Sequence, residues 1–272
     1  MLNSERESLE TLEMRENEWM KSERQMRELY EKGAEKMLSA MPDRETLFEN
    51  GESCLCCIDE GTDRGLFRSA GSGILMSDKE RARMVEYLQA MGIKGVRSHE
   101  GCGAAEKYCL ENGIDLSKVE EVAQQKAMEI AAEIGVPYLG HIEKLARPKA
   151  FHYARTAYYD GSGQFNQQAR KDHLPPGFVI SRRYMGTETS FENLKLSIQI
   201  ALGEHGFGKK ITPEKPMMLV AFADPHDAMF DHDAMKREMD QFIQNLTETD
   251  PELAKRVRVD VAIAPIHRET RN

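Results

Sequence analysis

The residues of this chain best suited to chemistry lie in two short stretches, CLCCIDEG at 54–61 and SHEGCGAA at 98–105. The second sets His99 and Cys102 three apart, and the first supplies Cys57 and Asp59 some forty residues upstream. Thiolate sulfur and neutral imidazole are ligand types that favour zinc, and three protein ligands with one open position characterise a catalytic rather than a structural site. The pattern predicts a metal centre. A second use of the same atoms stays open, because Cys54, Cys57, His99 and Cys102 also have spacings that suit a closed Cys3His site with no place for water. Against it, Cys54 and Cys57 in one extended strand would point to opposite faces.

These residues need elements to bring them together. The apolar run 54–58 followed by Asp, Glu and Gly reads as a buried strand ending in a loop, which puts the first group at a strand's C-terminal end. Ligands of open α/β sheets bind outside such ends. FRSAGSGIL (67–75) is a small-residue loop, and SDKE (77–80) matches a capping box for a helix over about 79–91 that Gly92 stops. IKGVRS leads back into the sheet with His99 at the strand's end. Cys102 then enters the first turn of GAAEKYCLEN, where the helix dipole favours a thiolate.

Composition narrows the partners. A chain of 272 residues with 40% hydrophobic content can bury a core of its own. A net charge of −9 with acids and bases interleaved argues against nucleic acid and for a small-molecule ligand. No window approaches the roughly 18 apolar residues of a membrane span, and the first 19 residues lack the apolar core of a signal peptide, so a cytoplasmic protein is expected. In a reducing compartment the five cysteines read as ligands rather than disulfides, with Cys109 simply buried.

Three regions follow: a helical arm over 1–42, a metal-binding α/β half over 43–165 and a second α/β half over 166–272. In the arm, Leu12, Trp19 and Met26 recur at seven, as do Tyr30 and Met37, so its apolar stripe must lie on the body of the chain or on a partner. Residues 116–134 read as a helix, and FHYARTAYYDGSGQF after 150 as a strand running into a glycine turn. The second half repeats the grammar: FVISRRY is a strand, TSFE (189–192) a capping box, MMLVAFADPHDAM a strand and loop, and VRVDVAIAPI a last strand. DPHDAM (224–229) falls where HEGCGA falls, which reads either as a duplication whose second copy lacks the ligands or as the ordinary look of any βαβ chain. The fold class is α/β, a mostly parallel central sheet flanked by helices.

The ordered combination Cys57-Ile58-Asp59, Arg68-Ser69-Ala70-Gly71 and His99-Glu100-Gly101-Cys102-Gly103 resembles the β-class carbonic anhydrases. The likeness covers about 54–110, with a weaker echo at YYDGSGQF (158–165). It implies a β-carbonic-anhydrase-like fold, Zn2+ held by Cys57, His99 and Cys102, Asp59 facing the exchangeable fourth ligand, and a homo-oligomer, dimer or higher, with the arm packed on a partner. It also implies reversible hydration of CO2 to bicarbonate, by a nucleophile made when zinc lowers the pKa of bound water towards about 7. The family pairs its Asp with an Arg two residues on, but position 61 is glycine. Either Asp59 then reaches the metal itself, or Arg64 or Arg68 supplies the charge. CS2 and COS are related electrophiles for the same site. His141, His152, His173 and His205 titrate in the range of a proton shuttle, and no pattern singles one out. A zinc deaminase is disfavoured because no Glu stands two after His99, and a thioredoxin-like role because a loop rather than a helix follows Cys57.

Overall fold

The structure is a computed structural model describing residues 9–49, 51–62, 64–166, 168–169 and 173–266. Among the described residues, eight strands are laid down in two rounds: β1 (Cys54–Cys56), β2 (Phe67–Arg68), β3 (Gly95–His99) and β4 (Tyr138–Ile142), then β5 (Thr156–Asp160), β6 (Gly177–Ile180), β7 (Met217–Ala223) and β8 (Val257–Ile263). They form two four-stranded sheets, ordered β2-β1-β3-β4 and β6-β5-β7-β8, and every pairing is parallel. Corresponding strands thus hold corresponding places. The sheets adjoin through β2 and β6, where Val179 N donates to Ile58 O and Ser181 N to Arg68 O, each at 3.0 Å. Strand β5, which a division at 165 leaves with the first half, pairs in the second sheet. The runs TAYYD and MMLVAFA are buried at every position, as parallel strands covered on both faces require.

Among the described residues the α-helices are α1 (Leu9–Lys32), α2 (Ala34–Ser39), α3 (Asp78–Ala90), α4 (Gly103–Glu111), α5 (Val119–Ile134), α6 (Thr187–Leu202), α7 (His232–Thr249) and α8 (Pro251–Ala254). The box at Ser77 and Glu80 caps α3 as the sequence predicts. Val122, Ala123, Ala127, Ile130, Ala131 and Ile134 make one buried face on α5, which packs beside β3 and ends at left-handed Gly135. The expected box at Thr189 does not form. Helix α6 starts at Thr187 after Gly186, so Thr189 lies within it, where its hydroxyl donates to Glu80.

The arm lies on this chain's own second half. Gly33, at φ +78, separates α1 from α2. Trp19 packs edge-on to Phe207, ring centroids 5.0 Å apart, with the Arg155 guanidinium 3.5 Å from its ring centre. Tyr30 donates to Pro216 O at 2.7 Å, and Ala34 N to Asp260 at 2.6 Å. Trp19 and Met26 are buried, whereas Leu12 of the same heptad stripe is 46% exposed because contact with the body begins further along the helix.

Candidate metal centre

Cys57 follows β1, His99 is the last residue of β3, and Cys102 caps the N-terminus of α4. Parallel pairing of β1 and β3 puts those ends side by side. The ligand atoms of Cys57, His99 and Cys102 lie within 4.8 Å of one another, and all three residues are buried. Gly101, at φ +64, makes the turn between strand and helix, and its N–H donates to Glu120 at 2.8 Å. His99 Nδ1 donates to Glu100 O at 2.9 Å, which fixes the ring. Its Nε2 is buried and has no hydrogen-bond partner among the described residues. Cys57 Sγ accepts the Gly71 N–H at 3.2 Å.

The charges in the trio offset one another. Burial opposes ionisation of Cys57, but the hydrogen bond from Cys102 and the positive charge of His99 outweigh it and hold Cys57 well below the usual thiol range. Cys102, donating that bond, stays well above it. Burial likewise opposes a charged His99, yet the Cys57 thiolate and Asp59 raise its pKa to about 9. Two sulfurs and one imidazole nitrogen, the last without a hydrogen-bond partner among the described residues, fit a soft or borderline divalent ion, which would replace the protons the trio otherwise holds. These residues can hold a metal.

Asp59 does not join them. It is held by Arg147, whose Nε donates to Oδ1 at 3.0 Å and to Oδ2 at 3.2 Å while a terminal nitrogen donates to Oδ2 at 3.0 Å. Both side chains are 4% exposed. The charges of His99, His152 and Arg147 overcome the cost of burial and keep this carboxylate far below its usual range. Gly61 makes the approach available: a Cβ there would stand 2.6 Å from Arg147 Cγ and 3.0 Å from both Asp59 Oδ1 and Leu145 Cβ. The guanidinium beside Asp59 thus arrives from the loop after β4, pinned by Ala146 N donating to Gly61 O at 2.8 Å. Neither arginine considered from sequence takes that place. Arg64 is exposed, and Arg68 turns its buried guanidinium to Gly65 O, Cys57 O and the Thr62 hydroxyl.

A second buried group stands alongside. His152 Nδ1 donates to Glu60 at 2.9 Å and lies 3.8 Å from Asp59 Oδ2. Burial lowers the pKa of His152, but Glu60 and Asp59 outweigh that and raise it. Asp59, Glu60 and His152 are also close enough to share an ion, although Arg147 already neutralises Asp59. Arg147 and His152 line a cleft of about 400 Å³ with Gly101 and Gly103, which flank Cys102, and with Leu196 and Ile200 of α6. Sequence reasoning did not find Arg147 or the Glu60–His152 pair; the glycine at 61 was the signal that a side chain from elsewhere fills that space.

Cys54 stays apart from the ligand trio. Its Sγ lies 3.6 Å from that of Cys56, on the other side of β1 from Cys57. In the second half, Asp224 and Asp227 at the end of β7 have the three-residue spacing of His99 and Cys102 at the end of β3, and the Arg183 guanidinium donates to both, to Asp227 at 2.9 Å. Among the described residues no metal-holding group occurs there. No family model, curated protein or solved structure matches this chain.

Proposed function

We propose that this protein is a zinc enzyme that hydrates CO2 reversibly to bicarbonate, by chemistry similar to that of the β-class carbonic anhydrases. The observation that carries the reading is Asp59 clamped by Arg147 beside the Cys57–His99–Cys102 trio. It supports an Asp–Arg pair kept by a relocated arginine. When bound, zinc supplies Lewis-acid activation of water near neutral pH. Cys57 and Cys102 would hold it as thiolates and His99 through Nε2. Asp59, an ionised carboxylate and so only an acceptor, would orient the attacking water, while Arg147 keeps Asp59 from closing the fourth position itself. A closed structural site is opposed by Cys54, whose sulfur sits with Cys56.

The second half would serve as a partner subunit does in a dimer: its sheet repeats the strand order of the first, and it receives the arm. We read it as a duplicated copy in which Arg183, bridging Asp224 and Asp227, supplies the positive charge that the metal supplies in the first half.

Stopped-flow hydration by metal-analysed protein at pH 7 and 8.5 tests the activity, with Cys102→Ala alongside and COS and CS2 as competing substrates. Hydration well above buffer that is lost in the variant is expected. Bound zinc at one per chain without hydration at either pH would overturn the assignment.

A further inference from the structure

We propose that Cys54 and Cys56 are an oxidation site that closes to a reversible disulfide, separate from the metal ligands and independent of what they bind. The two sulfurs are 3.6 Å apart on one face of β1, both thiols are free, and their residues are 0% and 1% exposed. Reaching the bonded distance of about 2.05 Å takes a closure of about 1.5 Å. Residues two apart in a strand have Cα atoms roughly 6.6 Å apart, the long end of the ~4.4–6.8 Å that disulfides span. Closing the pair therefore requires a slight extra pleat in β1, which stores strain and makes the bond readily reducible.

The surroundings are built around this pair. Gly65 lies against it at φ +88, and a Cβ there would stand 2.7 Å from Cys56 Sγ and 3.2 Å from Cys54 Sγ. The backbone conformation and the space both call for glycine. Arg68, which donates to Gly65 O at 2.9 Å, keeps a buried terminal nitrogen with no hydrogen-bond partner among the described residues. The co-reactant is a hydroperoxide. One sulfur attacks its O–O bond, giving a sulfenic acid and, from hydrogen peroxide, one water. The second sulfur displaces the sulfenic oxygen, which leaves with the remaining thiol proton as a second water.

Hydrogen peroxide treatment of the zinc-loaded full chain tests this, followed by alkylation with N-ethylmaleimide in denaturant and tryptic digestion without reductant. Cleavage after Arg44 and Arg64 releases peptide 45–64 with Cys54, Cys56 and Cys57, and cleavage after Arg97 and Lys107 releases 98–107 with Cys102 alone. The expected product is 45–64 lighter by two hydrogens, carrying one maleimide on Cys57, reversed by dithiothreitol and absent in Cys56→Ser and Cys54→Ser. A cross-link between 45–64 and 98–107 as the sole oxidation product, a maleimide on Cys54 or Cys56 with Cys57 bridged, or full alkylation of 45–64 after peroxide would each overturn the proposal.

Discussion

Arg147 and Gly61 should behave as one unit, and a double-mutant cycle measures whether they do. Arg147→Ala removes three hydrogen bonds of 3.0–3.2 Å from a carboxylate that is 4% exposed. Leaving a buried charge without its partner costs about 3–5 kcal/mol. Gly61→Arg fails differently, because its Cβ starts 2.6 Å from Arg147 Cγ and a second guanidinium is forced beside the first. Overpacking of this kind costs about 1–3 kcal/mol. In the double variant the contact with Arg147 Cγ is gone, though Leu145 Cβ and Asp59 Oδ1 still lie 3.0 Å from the new Cβ, and the arginine introduced in place of Gly61 can reach Asp59 from two residues away, so the two losses should not fully add: a favourable coupling of about 1 kcal/mol or more is expected. Urea unfolding of zinc-loaded wild type, both single variants and the double variant gives the four numbers. Additive losses, or an Arg147→Ala protein as stable as wild type, would refute the idea that Arg147 stands in for the arginine missing at 61.

The metal-free protein should bind zinc more tightly as pH rises. His99 has a folded pKa raised to about 9 from 6.5, so its charge stabilises the metal-free fold fully below 6.5 and that contribution is lost as pH rises through about 9; the metal needs the neutral ring. Competition with a chelator from pH 6.5 to 8.5 should show affinity rising about tenfold per pH unit for each proton released, and a flat profile would contradict the trio. Trp19→Ala should cost about 3–5 kcal/mol, since the ring packs on Phe207 and under Arg155; an unfolding midpoint within error of wild type would mean that the arm does not hold the second half. Cys54→Ala should retain zinc while Cys102→Ala loses it, measured by metal analysis after dialysis, and equal losses would restore the four-ligand alternative.

The ligand trio was legible in the sequence because its spacing is local: His99 and Cys102 share one strand-to-helix turn, and Cys57 ends the neighbouring parallel strand. Alternation along β1 likewise separated Cys54 from Cys57. What could not be read depends on tertiary contact. Arg147 meets Asp59 across 88 positions, and nothing near 147 marks that arginine over its neighbours; only the vacated volume at Gly61 pointed to a distant partner. His152 stood among four histidines of equal standing until Glu60 was seen to fold beneath it. The box at Thr189 misled because Ser/Thr-x-x-Glu also occurs inside helices, and here the hydroxyl bonds across to Glu80. The likeness of the two halves lies in strand order, which side-chain types along the second half barely record.

The most direct test of the metal centre is X-ray absorption at the zinc edge on protein loaded to one equivalent. Two sulfurs at about 2.3 Å with light-atom neighbours at about 2.0 Å, one of them giving an imidazole signature, are expected for Cys57, Cys102 and His99 with an exchangeable fourth ligand. Three sulfurs in the shell, or no zinc retained, would contradict the account.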